Sequence, residues 1–155
     1  MYYYVKYIYI LWFELTLIAS LNSLNPSPKD TLKLNIDGSF LEEFGCLGVG
    51  GVVHNHDGDW IAGFSYYKAE GDALLTELRV IQIGLDFCSK KGYVNIICES
   101  DCLEAVDLII DSRDHHLHTY ATYILHIRDA LLGDGNTTLV HVLREQNICA
   151  DFMAK

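Results

Sequence analysis

The stretch LKLNIDGS, residues 32–39, decides how the rest of the chain is read. Leu32, Leu34 and Ile36 alternate with Lys33, Asn35 and Asp37, the period of a strand with one apolar face. Asp-Gly is turn chemistry, so the strand is expected to end at Asp37-Gly38-Ser39. Asp37 then leaves it on the face opposite Leu34 and Ile36.

Toward the C-terminus, Gly48 to His54 and Trp60 to Tyr67 read as two strands of a hairpin, joined by a turn around Asp57-Gly58. Asp72 can cap a helix to about Lys90, with Leu74, Leu78, Ile81, Leu85 and Cys88 on its buried side. Val94 to Glu99 is a short apolar strand. A helix follows from about Asp101 to Ile110, and a second from about Thr119 to Leu132 with Tyr120, Ile124, Ile127 and Leu131 on one face. Thr137 to Leu143 reads as the fifth strand, and Asn147 can cap a last helix. The order βββαβααβα predicts an α/β fold: a mixed five-stranded sheet flanked by helices.

Toward the N-terminus the character changes. Residues 1–21 are apolar and aromatic, broken only by Lys6 and Glu14. As a helix they would extend roughly 30 Å, about the thickness of a bilayer core. Glu14 in mid-segment is costly in lipid, which favours an appended segment over a membrane anchor. Residues 22–30, with Pro26 and Pro28, read as a linker, so the domain is assigned to residues 31–155.

The 155 residues carry 21 acidic and 11 basic side chains, a formal charge of −10. Non-specific affinity for polyanions comes mainly from Lys and Arg on phosphates. A nucleic-acid role must therefore rest on metal ions and local geometry. The five cysteines form no CxxC pair or zinc spacing and read as reduced thiols of an intracellular protein, nuclear or cytoplasmic. His115, His116 and His118 lack a matching ligand pattern. Gly48, Gly50 and Gly51 precede no GK[ST] and read instead as sites of close backbone approach, to a sugar–phosphate chain for example.

Four acids stand out. Glu77 has Ala73, Leu74, Val80 and Ile81 as helical neighbours, none of them a cation. It lies on a stripe with Ala73, Val80 and Gly84 that lets the helix lie close to a sheet, where a carboxylate needs a cation. Asp37 alone reads as a turn residue. Asp101 alone reads as the start of a capping box with Glu104, and Asp151 as an acid favoured by the last helix's dipole. Taken together, Asp37 and Asp101 come from strand ends, where α/β sheets build sites, and Glu77 and Asp151 from helices that can pack beside them. Four acids from four elements suit Mg²⁺, an oxygen-seeking ion that stabilises attacking and leaving oxygens in phosphodiester cleavage.

The stretches LKLNIDGS (32–39), TEL (76–78), ESD (99–101) and REQNICADFMAK (144–155) resemble type 1 ribonuclease H domains. The resemblance is to the plant branch related to retroelement reverse transcriptases, and GVGGVVHNHDGDWIAGFS resembles that branch's glycine-rich hairpin. It covers residues 30–155 and implies a ribonuclease H-like fold. It also implies hydrolysis of the RNA strand of an RNA–DNA hybrid by Asp37, Glu77, Asp101 and Asp151 with two Mg²⁺ ions, Mn²⁺ being a substitute. Asp37 would bridge the ions, Asp151 would help hold the ion carrying the attacking water, and Glu77 and Asp101 would hold the other. Gly38, Ser39 and Asn147 are the expected substrate contacts, and a monomer is expected. The alternative is a retroelement-derived binding module with impaired catalysis. Its grounds are departures from the family pattern: Arg144-Glu145 where many members carry Gly-His, Val80 in place of a small residue, Cys102 in place of Ser, and a last helix that stops four residues after Asp151.

Overall fold

A computed structural model describes residues 27–41, 46–69, 71–113 and 116–154. The apolar segment 1–21 and most of the linker, residues 22–26, lie outside the described residues. So does His115 of the histidine cluster. The elements are β1 (Leu32–Leu41), β2 (Cys46–His54), β3 (Trp60–Ala69), α1 (Ala73–Lys90), β4 (Ile96–Ser100), α2 (Leu103–Ile110), α3 (Ala121–Leu132), β5 (Thr137–His141), a 3₁₀ turn (Arg144–Gln146) and α4 (Ile148–Ala154). This is the expected order. The strands form one sheet, β3-β2-β1-β4-β5. β1 is central, antiparallel to β2 and parallel to β4, and β5 continues the parallel side.

Turn and cap chemistry fix the ends. At the β2–β3 turn, Asn55 Oδ1 accepts the Asp57 and Asp59 N–H groups at 3.0 and 2.8 Å, and Gly58 takes φ 85°. Asp72 caps α1 as expected, its Oδ1 accepting from Leu75 N–H at 2.8 Å, and its other oxygen accepts from the Tyr120 hydroxyl. Leu78, Ile81, Leu85 and Cys88 on α1 are buried and Leu74 partly so, against Leu34 and Ile36 of β1. A side chain such as Ile36, wholly out of water, contributes about 2 kcal/mol. Gly84 permits the close approach: a Cβ there would lie 3.0 Å from both Ile36 Cγ2 and Leu34 Cδ2.

β1 does not end at Asp37-Gly38-Ser39. It continues to Leu41, because β2 goes on pairing with it through Ser39↔Gly48 and Leu41↔Cys46. What ends near Asp37 is the pairing with β4, whose last register partner is Ile36↔Ser100. Beyond that point, among the described residues, β1 has a paired strand on one side only. α4 covers the other sheet face, packing on β2, β1 and β3. Gly50 faces it so closely that a Cβ would fall 2.5 Å from Ala154 N and Met153 C. At Gly51 the neighbours are Phe64 and Ile36. Gly50 is thus a site of close backbone approach, the backbone being that of α4, while Gly51 makes room for side chains of the neighbouring strands. Cys88, Cys98 and Cys102 are free thiols.

Candidate active site

Where β1 outruns β4, three of the four acids converge. One carboxylate oxygen from each of Asp37, Glu77 and Asp101 lies within 4.8 Å of the other two. Asp37 is buried within β1 opposite Gly50. Glu77 is one turn into α1 and reaches the end of the β1–β4 pairing over Gly38, whose N–H donates to its carboxylate. Asp101 follows β4 directly. The expected capping box does not form: Cys102 holds the cap position of α2 without a side-chain bond, and its N–H donates to Ser100 Oγ at 3.2 Å. The carboxylate of Asp101 thus faces the site instead of the helix end.

The electrostatics of this trio are unfavourable without a cation. Burial, then the charges of Asp101 and Asp151, push Asp37 up to about 7. Burial, then Asp37 and Asp101, push Glu77 up to about 8. Glu77 Oε2 is buried with no hydrogen-bond partner, a state that costs about 1–3 kcal/mol for a polar group. Hard carboxylate oxygens and an orphaned buried acceptor fit a divalent cation of the Mg²⁺ or Mn²⁺ kind.

Asp151 stands outside the trio. It lies in α4, its Oδ1 is 3.3 Å from Arg144 Nη2, and its charge reaches Asp37. The three expected substrate contacts fall differently. Ser39 is half-buried in β1. Gly38 has no open space on its missing side chain: a Cβ would meet Thr76 Cγ2 at 2.8 Å and Glu77 Oε1 at 3.2 Å. Its service is to admit α1. Asn147 is completely buried, and its amide donates to Ile36 O at 2.7 Å, so its side chain ties α4 to β1 instead of capping the helix.

Gly38→Ala is therefore expected to weaken divalent-ion binding at the trio about tenfold while costing only about 1–2 kcal/mol of stability. The reason is local. Thr76 is pinned, its hydroxyl donating to Asp72 O at 2.7 Å, so the added methyl displaces the Glu77 turn of α1. Divalent-ion titration alongside thermal melts checks this; unchanged ion affinity would rule it out.

Behind the acids lies a polar chain that the sequence did not reveal. Lys33 Nζ is 2.7 Å from Glu99 Oε1, and Asn35 Nδ2 donates to Glu99 Oε2 at 2.7 Å and Asn147 Oδ1 at 3.4 Å. Asn35 Oδ1 meets His54 Nε2 at 2.8 Å, and burial lowers the pKa of this imidazole. A signal was present: Lys33, Asn35 and Asp37 alternate on a strand that turns out to be central, and polar groups covered on that face need partners.

A mixed sheet in this order, with an acid trio beside its central strand, defines the ribonuclease H-like class. The chain belongs to the family described as reverse transcriptase-like, whose family model matches residues 35–155. A protein of Arabidopsis thaliana that is named for ribonuclease H is 30% identical over 124 residues, covering 79% of this chain. The chain spans about a fifth, 20%, of that relative's length. RNase H1 of Halobacterium salinarum has the same fold with a TM-score of 0.73 at 20% identity, covering 80% of this chain and 94% of that one. LC11-RNase H1, isolated from compost and solved in complex with an RNA/DNA hybrid, gives 0.69 at 18% identity over 79% and 93%. The N-terminal RNase H domain of a Mycobacterium tuberculosis protein gives 0.69 at 20% over 80% and 90%. Among the described residues no helix is long and apolar enough to cross a membrane.

Proposed function

We propose that residues 31–155 are a metal-dependent endoribonuclease domain that cuts the RNA strand of RNA–DNA hybrids. The observation that carries this is the convergence of Asp37, Glu77 and Asp101 with one buried Glu77 oxygen unpartnered. Those three carboxylates would hold a divalent ion, and Asp151, close enough to act on Asp37, would help hold a second. The bound ions, two Mg²⁺ or their Mn²⁺ substitutes, supply charge neutralisation and an activated water. Asp37, the acid that both Asp101 and Asp151 act on, would be shared between the two ions. Glu77, braced by Gly38 N–H, fixes one side of the site, and Asp101 the other. RNA would be told from DNA through 2′-hydroxyl contacts and duplex shape. The RNA/DNA hybrid bound to LC11-RNase H1 supports that substrate class.

A second reading has its own support. The Arg144–Asp151 pair, which engages the fourth acid with a cation of the chain itself, favours a hybrid-binding module with slow turnover. The test is cleavage of an end-labelled RNA–DNA hybrid by the full chain with Mg²⁺, with Mn²⁺ and with EDTA. Cutting of the RNA strand that EDTA abolishes is the expected result. A folded chain that leaves the hybrid intact under both metals would hand the lead to the binding module.

A further inference from the structure

Arg144 is a cation at an acidic site, and its contacts there are loose. It lies in the 3₁₀ turn before α4, with its side chain 73% exposed, and it meets Asp151, 23% exposed, through one nitrogen at 3.3 Å. Its backbone is held: Arg144 O accepts from Asn147 N–H at 3.0 Å, and Asn147 is locked onto Ile36 O. An exposed guanidinium is therefore tethered to a fixed point beside the acids. Its field reaches Asp151, Asp101 and Asp37, and on both Asp37 and Glu77 its charge opposes the effect of burial. An exposed one-point ion pair is a weak interaction. A divalent ion among several carboxylates outcompetes it easily, and the freed planar fork then matches a phosphate better than it matched one carboxylate oxygen.

We propose that Arg144 is a removable counter-ion: it holds Asp151 in the metal-free protein and turns to a substrate phosphate once a divalent ion takes that carboxylate. The phosphate half of this rests on the hybrid-cleaving reading; the counter-ion half does not. Such a residue has opposite effects on two ligands. It weakens metal binding, since a cation must be displaced, and it strengthens nucleic-acid binding.

The test uses the full chain, wild type, Arg144→Ala and Arg144→Lys, titrated calorimetrically with Mn²⁺ alone. Affinity for an RNA–DNA hybrid is measured separately in Ca²⁺, so that no turnover is needed. Arg144→Ala is expected to bind Mn²⁺ about fivefold more tightly. It is expected to bind hybrid about tenfold more weakly. Arg144→Lys, which keeps the charge without the fork, should restore the wild-type Mn²⁺ affinity and only part of the hybrid affinity. A purely structural role would weaken both or neither. Unchanged or weaker Mn²⁺ binding by Arg144→Ala overturns the counter-ion role, and unchanged hybrid binding overturns the phosphate contact. Wild-type protein that binds Mn²⁺ and hybrid but never cuts would sink the proposed activity, while the two affinities of the Arg144 variants would still decide both halves of its role.

Discussion

Asp37→Asn is expected to reduce metal-dependent hybrid cleavage about a thousandfold, the largest loss from any single neutral substitution at the site. The same change should make the metal-free protein more stable. Asp37 is buried beside Asp101 and Asp151, and its folded-state pKa of about 7 lies well above the ordinary 3.8 of an aspartate. A group raised in this way contributes its full stability below the unfolded pKa, and that stability is lost as pH rises through the folded one. At pH 8 the charged Asp37 is a burden that asparagine removes, by on the order of 1–3 kcal/mol. As pH falls to 4 the folded carboxyl is protonated and the unfolded one, at its ordinary 3.8, increasingly so, and the difference should shrink toward zero. Thermal melts in EDTA at pH 4, 6 and 8 check it, and an equal offset at all three would show that the buried charge is not the cause. Activity and stability moving in opposite directions separates a ligand held under strain from a residue that merely packs.

The second large effect is structural. Gly50→Val is expected to destabilise the domain by about 3 kcal/mol and to lift α4 off the sheet. The added Cβ would meet the backbone of Met153 and Ala154 at 2.5 Å, and backbone within a helix cannot step aside as a flexible side chain can. Cys149, buried with Val52 and Met153 on that face, should then react with a thiol reagent far faster than in the wild type. Asp151 would move with its helix, so ion affinity should fall too. A variant that melts normally with Cys149 still protected would show that α4 tolerates the intrusion.

Most of the architecture was legible because local chemistry and tertiary demand agree. The alternation of Leu32, Leu34 and Ile36, the Asp72 cap and the Asn55 to Asp59 turn each mean the same thing alone and in the fold. Disagreement came where a distant partner decides. Asp37-Gly38 carries a turn signal, but β2 extends the strand past it. Asp101 and Glu104 have capping-box spacing, yet Cys102 takes the cap. Asn147 has the right identity to cap α4, but its side chain is claimed by Ile36, 111 residues away. Three of the four acids were readable as a group because nothing local explained Glu77. The Lys33–Glu99 ion pair and the Asn35 bridge were not, since a polar residue on an alternating strand looks solvated until the covering helix is known.

The central place of β1 also sets a timetable. β1 lies near the start of the described chain, and the elements bearing Glu77, Asp101 and Asp151 reach it from progressively later positions. Closing those long loops costs entropy before any contact repays it, which makes such a topology slow to form. On the ribosome the hairpin and α1 can assemble early, but α4 cannot dock until residues 148–154 have left the exit tunnel. A nascent chain therefore carries most of its hydrophobic core before it carries a complete set of carboxylates, and whatever chemistry those carboxylates perform is withheld until translation has passed Asp151.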